Sequence, residues 1–240
     1  MSQAAPAGRD IVATLSRVST ATLTTVLLKK GLRNVWMRAT KPLRSGQPRL
    51  VGRAFTLRFV PAREDLATPE SWAKPISTRA AIEAMPPGCI VVADAMGVTD
   101  AGIFGDILGA RRRKRGVAAL VTDGALRDVA GVLATGLPVW SRGVAAPPSV
   151  AGLTFVNWQE PIGCGGVAVF PDDVVVVDDD GAVLIPAALL DHVLQVAPEQ
   201  ERLENWIMQE VERGVPLPGL YPPNAEAKAR YEATRESGER

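Results

Sequence analysis

Asp106 is followed, after twenty intervening residues, by Arg127 and Asp128. Two carboxylates and a guanidinium suit one kind of chemistry. Carboxylate oxygens ligate hard divalent cations, and a planar guanidinium can polarise a keto oxygen and stabilise the enolate that develops from it. The surrounding stretch, AGIFGDILGARRRKRGVAALVTDGALRDVAGV over residues 101–132, reads as loop, helix, buried strand, tight turn and Arg-Asp. Gly102 and Gly105 flank the turn before the helix, where glycine permits φ > 0 and close approach of the backbone to a ligand. Asp106 is expected at the helix N-cap. The N–H groups of Ile107 and Leu108 then fall in the first helical turn, where such donors lack intrahelical partners and favour a carboxylate. The strand VAALVTD ends in Asp123-Gly124, a turn signal, so Arg127 and Asp128 lie at a strand's carboxyl end, where α/β sheets bind ligands. A capping aspartate and a solvated Arg–Asp pair are the ordinary roles of each motif alone. Together they predict a metal-assisted site for a small 2-oxo acid.

The elements that must position these groups alternate. RLVGRAFTLRFVP (49–61) reads as a strand ended by Pro61, CIVVADA (89–95) and VAALVTD (117–123) as buried strands, and LPVWSRG (137–143) as another. Helical segments between them predict parallel βα units. Residues 10–30 read as helix interrupted at Ser19 and Thr20, residues 34–49 as loop, and residues 62–76 as a polar, proline-containing stretch before a helix near 77–85. From about 150, short strands separated by Gly, Pro and Asp predict antiparallel hairpins. Asp178, Asp179 and Asp180 before Gly181 read as one such turn rather than a Ca²⁺ loop. A helix is expected from Pro186 to about 212. The organisation is therefore a flexible terminus (1–9), one α/β domain (10–212) and a proline-rich tail (213–240) expected to pack at an interface, because Leu217, Leu220 and Tyr221 need cover.

Composition excludes several function classes. With 27 basic and 26 acidic residues the net charge is +1, so no global field draws the chain to nucleic acid or an anionic membrane. No apolar run approaches the about 18 residues of a membrane span, and a soluble cytoplasmic protein is expected. Cys89 and Cys164 are expected as buried, reduced thiols. No serine has a G-x-S-x-G context. No lysine ends a buried strand, which disfavours a Schiff-base aldolase and favours the metal route. The basic run Arg111–Arg115 is expected to form a solvated face or subunit contact, its cations suiting the helix C-terminus.

The segment 101–132 resembles the RraA-like family, which includes the 4-hydroxy-4-methyl-2-oxoglutarate aldolases and carries a D-x20-R-D pattern that Asp106, Arg127 and Asp128 match. The resemblance continues in LSRVSTATLTTVLLKKG, RLVGRAFTLRF and IGCGGVAVFPDDVVVVDDDGAVLIP, covering roughly 10–190. It implies a layered ββα, swivelling-domain-like α/β fold with N-terminal helices and a C-terminal helix plus tail. It also implies a homotrimer or hexamer with interfacial active sites, and Mg²⁺ or Mn²⁺ as cofactor. Carried over by position, Asp128 resembles the metal ligand, Arg127 the contact to the keto oxygen, Gly105, Ile107 and Leu108 the substrate-carboxylate cradle, and Asp106 a carboxylate acting through water. An acidic residue borrowed from a neighbouring subunit is matched by Glu199, Glu201 or Glu204. Thr25-Val26 stands where the family often has Asp-Ala. The implied function is a pyruvate-releasing aldolase with oxaloacetate decarboxylase side activity. A ribonuclease-binding regulator and a lyase of sugar-acid-derived 2-oxo acids are the alternatives.

Overall fold

The computed structural model describes residues 10–236. Two helices open it, α1 (Ile11–Leu15) and α2 (Thr20–Lys29). They are separate because Ser19 caps α2, its Oγ accepting the Thr22 N–H, as its residue type favours. The stretch expected as loop contains two short strands, β1 (Trp36–Met37) and β2 (Lys41–Pro42). The long strand β3 (Leu50–Pro61) follows, then a 3₁₀ turn at Pro69–Ala73 and helix α3 (Thr78–Ala84). The central βα units are β4 (Ile90–Asp94), α4 (Asp106–Lys114), β5 (Ala119–Thr122), β6 (Ala125–Leu126), α5 (Val129–Ala134), β7 (Val139–Ser141) and β8 (Gly143–Val144). Then come β9 (Leu153–Trp158), β10 (Ile162–Cys164), β11 (Val167–Val169), β12 (Val174–Asp178) and β13 (Gly181–Ile185), with helices α6 (Leu190–Glu212) and α7 (Ala225–Glu236) last.

One curled sheet runs β1-β13-β12-β3-β4-β5-β7-β2, with β9 also paired to β3. The strands β3, β4, β5 and β7 are parallel, as the alternating βα pattern predicts. β3 lies in the middle of that order and changes partner along one edge: its first residues pair antiparallel with β12 (Arg53 opposite Val174), and its last pair with β9 (Pro61 opposite Leu153). A register shift between Arg58 and Phe59 separates its last pairings from the rest.

Side-chain alternation along the strands builds the layers. Val174, Val176, Val183 and Ile185 face α1, α2 and α6, while Val175, Val177, Ala182 and Leu184 face inward. There they meet Ile90, Val92, Ala119, Val121 and the fully buried Trp140 from the parallel strands. The other face of those strands, Val91, Ala93, Leu120 and Val139, packs beneath α3, α4 and α5. The result is helices, sheet, sheet and helices: the layered α/β domain expected from the resemblance. Cys89 and Cys164 are both buried free thiols, and burial pushes the Cys89 thiol up to about 11.

Two further expectations change. The basic run is not a uniformly solvated face. Arg111 pairs with Glu83 at 2.7 Å and Arg115 donates to the Met85 carbonyl, but Arg112 is fully buried. Its guanidinium lies 3.6 Å over the Phe104 ring and Nη1 donates to the Leu108 carbonyl at 3.1 Å. Its Nε and Nη2 have no hydrogen-bond partner. Position decides this: the helix turns Arg112 toward the sheet and its neighbours toward solvent. Burial pulls the group down to about 9, so it stays cationic at neutral pH.

The tail, likewise, finds part of its cover on its own chain. Leu220, Ala227 and Tyr231 pack on Trp206 and Ile207 of α6, and Glu210 pairs with Arg213 and Arg230. Leu217 and Tyr221 remain 54% and 61% exposed.

Two substitutions in α4 test this packing by urea unfolding. Arg112→Met removes two buried donors without partners, each of which costs about 1–3 kcal/mol, and keeps a flexible apolar stem; a net gain in stability is expected, and a loss would show that the stacking on Phe104 outweighs them. Gly109→Ala should stabilise by about 0.5–1 kcal/mol through helix propensity, because the added Cβ would come no closer than 3.8 Å to Thr135.

Candidate active site

Two loops meet at one end of the parallel sheet. The first, Gly102–Asp106, leads into α4. The second, Leu126–Asp128, leads from β6 into α5. Backbone hydrogen bonds stitch them: the Ile103 N–H donates to the Ala125 carbonyl and the Arg127 N–H to the Phe104 carbonyl, each at 2.9 Å. On the outer side the Gly102 N–H donates to the Pro147 carbonyl at 2.9 Å.

The glycines serve this seam rather than a left-handed turn. Gly105 is extended, with φ −120°. A Cβ on Gly102 would lie 2.8 Å from the Arg127 Cβ and backbone nitrogen, and one on Gly105 would collide with the Asp128 carboxylate. The left-handed residue is Asp128 itself, φ 54° and ψ 44°, at the N-cap of α5. Aspartate is among the few side chains that tolerate this region, which in a loop of this kind marks strain held by the surroundings.

Asp106 is the first residue of α4 and not its cap; Gly105 takes the cap position. From there the Asp106 Oδ1 accepts the Ile107 N–H at 2.7 Å. The Ile107 amide is therefore occupied, and its side chain is 79% exposed. Gly109 is the first amide to bond back into the helix, to the Gly105 carbonyl. The Asp106 and Leu108 N–H groups remain as donors at the positive end of the helix. The other edge of Asp106 rests on α5, where a Cβ on Gly131 would fall 2.6 Å from the Asp106 Cβ and 2.7 Å from Oδ2. The Arg127 Nε donates to the Asp128 Oδ2 at 3.1 Å, with the two side chains 35% and 43% exposed. Its Nη groups have no acceptor among the described residues.

All six residues singled out in the sequence, Gly105, Asp106, Ile107, Leu108, Arg127 and Asp128, line one cleft of about 290 Å³. That is at the small end for ligand pockets. Trp72, Thr78, Arg79, Pro148 and Ser149 also line it. Sequence reasoning missed these. The only signal was a tryptophan within the polar 62–76 stretch, and nothing in the sequence placed that stretch over the loops.

The late glutamates are engaged elsewhere. Glu199 holds Arg202, Arg235 and the Tyr231 hydroxyl. Glu201 accepts from the Ser19 N–H and Oγ, and Glu204 from the Thr22 hydroxyl. They tie α6 to α2 and α7. Nor is Asp123 part of the cleft: its carboxylate takes the Ala95 and Gly165 N–H groups, and burial raises it above the usual carboxylate range.

Comparison with known proteins places the chain in a family and a fold. The family model described as RraA-like, Aldolase/RraA, matches residues 18–184. A Halalkalibacterium halodurans protein provisionally named a 4-hydroxy-4-methyl-2-oxoglutarate aldolase is 36% identical over 116 residues, 48% of this chain and 54% of that protein. Protein DlpA of Legionella pneumophila is 29% identical over 154 residues, 64% of this chain but 24% of DlpA. The match thus spans about half the length of the first relative and about a quarter of the second. Among solved structures, Streptomyces coelicolor RraAS2, described as an unusual member of the RNase ES inhibitor RraA family, superposes with a TM-score of 0.76 at 32% identity, covering 83% of this chain and 97% of that one. An uncharacterised Pseudomonas syringae protein shares the fold with a TM-score of 0.77 at 24% identity, covering 91% and 100%. No described helix is long and apolar enough to cross a membrane. Because the matched span takes in more than half of the chain and both loops of the cleft, the chain belongs to the RraA-like (Aldolase/RraA) family.

Proposed function

We propose that the chain is a divalent-metal-dependent lyase that cleaves a 4-hydroxy-2-oxo acid of the 4-hydroxy-4-methyl-2-oxoglutarate type to pyruvate, with oxaloacetate decarboxylation as a side activity. The observation that carries this reading is the meeting of the Gly102–Leu108 and Arg127–Asp128 segments in one small cleft, with helix-terminal amides and guanidinium N–H groups left without partners. The likeness to a provisionally named aldolase supports it.

In this reading the Asp106 and Leu108 amides hold the substrate carboxylate. The Arg127 Nη groups donate to the keto oxygen, which gains negative charge as the bond between C3 and C4 breaks. Asp106, fixed by the Ile107 amide and the Gly131 surface, orients water that takes the C4 hydroxyl proton and returns a proton to C3. Loss of CO₂ from oxaloacetate leaves the same enolate, so one set of groups serves both reactions.

The donor chemistry fits Mg²⁺ or Mn²⁺. Asp128 offers a hard carboxylate at the cleft, and such ions are commonly held by one or two carboxylates with water and substrate completing the shell. The bound ion would supply Lewis acidity toward the 2-oxo acid. Among the described residues no cluster of three or more His, Cys, Asp or Glu could hold a metal, so the remaining ligands come from substrate, water or a second subunit. A homotrimer or hexamer with sites at its interfaces would cover the Ile107 and Val144 side chains, 79% and 57% exposed in the single subunit.

The likeness to RraAS2 favours a second reading, a ribonuclease-binding regulator without turnover. Pyruvate release decides between them. Oxaloacetate and 4-hydroxy-2-oxo acids should yield pyruvate with Mg²⁺, none with EDTA, and none from Asp128→Ala, whose circular dichroism stays unchanged. Arg127→Lys should lower kcat by about 10²–10³-fold. No turnover in the Mg²⁺-loaded wild type, together with ribonuclease inhibition, would leave the regulator.

Gly131→Ala isolates the placement of Asp106. Its Cβ would displace a carboxylate that it does not chemically replace, and a displacement of about 1 Å costs about 10²-fold in rate. Near-normal kcat with an intact fold would remove Asp106 from the reaction.

A further inference from the structure

The cleft contains a second cation that the reaction above does not use. Arg79 lines the same cavity as Arg127 and Asp128. Its guanidinium sits 4.7 Å over the Trp72 ring. The two cleft arginines differ in one respect. Arg127 is held by Asp128, whereas no carboxylate among the described residues lies within ion-pair distance of Arg79. The negative face of the indole orients the guanidinium without consuming its N–H edge, which stays available as a planar donor fork.

Its place in the cleft is also defined. Trp72, Thr78 and Ser149 line a second, adjoining cavity of about 120 Å³, whose other walls include Leu66, Ile76 and Phe155. Asp106, Leu108, Arg127 and Asp128 line only the first. Trp72 therefore stands at the junction, on the side away from the Asp128 end, and Arg79 stacks on it. A substrate whose 2-oxo acid head occupies the loop end extends its remaining carbons toward this pair.

We propose that Arg79, positioned by Trp72, selects substrates carrying a second carboxylate at the end remote from the 2-oxo acid head. The inference rests on the 2-oxo acid reading of the cleft and adds the residue that reads the other end of the molecule. Arg79 is exposed and has no ion-pair partner among the described residues, so its guanidinium gains a charge-assisted, bidentate contact from such a group and nothing comparable from an alkyl end.

The test compares 2-oxoglutarate with 2-oxovalerate, five-carbon acids that differ in the distal carboxylate, by calorimetric titration of the Mg²⁺-loaded protein. Wild type should bind 2-oxoglutarate about 2- to 5-fold more tightly, the range of an exposed ion pair. Arg79→Gln should abolish that preference and leave 2-oxovalerate affinity unchanged, Arg79→Lys should restore part of it, and Trp72→Leu should weaken it. Deuterium exchange at the pyruvate methyl group, which needs only the loop end, should be unaffected by Arg79→Gln. Equal binding of both acids by wild type, or a preference that survives Arg79→Gln, would overturn the assignment while leaving the lyase intact. Binding of neither acid, with no methyl exchange, would overturn both.

Discussion

The site depends on a contact that contains almost no side chain. The Gly102–Gly105 backbone presses against Arg127 and Asp128 so closely that one methylene on either glycine would collide with the second loop. This closeness brings the start of α4 beside the Arg127–Asp128 pair. It lets the Phe104 carbonyl accept the Arg127 N–H, next to Asp128 in its left-handed conformation. The shape of the cleft follows from backbone geometry first and from side chains second.

The cluster behind the seam is unusual. Phe104 bears on one side the hydrogen bond to Arg127 and on the other the buried guanidinium of Arg112. An aromatic face accommodates a cation better than an aliphatic wall does, but it does not satisfy the guanidinium's edge donors. Arg112 is thus an energetic liability that the surrounding packing tolerates. Its single hydrogen bond, to the Leu108 carbonyl, lies in the helical turn that offers its amides to the cleft.

Much of this was legible in the sequence because it follows from short-range rules. The short apolar runs at 90–94, 119–122 and 174–177, rich in valine, form strands, and the alternation of side chains along a strand assigns each face. The Asp106 and Arg127–Asp128 spacing survives because the helix and strand between them have fixed lengths, so a linear count becomes a distance. Arg112 was hidden because its neighbours are all basic and composition gives no sign of which residue the helix turns inward. Trp72 was hidden because its stretch lacks periodicity, and Arg79 because an arginine early in a short helix reads as a surface residue; only tertiary packing brings both to the loops. The tail reads as needing a neighbour because Leu217, Leu220 and Tyr221 find no cover within it; the cover that Leu220 receives, Trp206 and Ile207, lies on the preceding helix and is brought there only by tertiary packing.

The long strand β3 has a consequence for how the molecule comes into being. Its partner β4 lies close behind it in the chain, but β12, which closes the sheet on its other side, begins at Val174, more than a hundred residues after Arg53. During synthesis the parallel βα units and both loops of the cleft leave the ribosome while one edge of β3 is still unpaired. Long-range pairing of this kind is slow and exposes strand edges to other chains. The two loops of the cleft therefore rest on a half-built sheet until the valines of the last hairpin arrive. A nascent chain that stalls before residue 174 would carry every residue of the cleft on a scaffold with an open edge, prone to pairing with other chains.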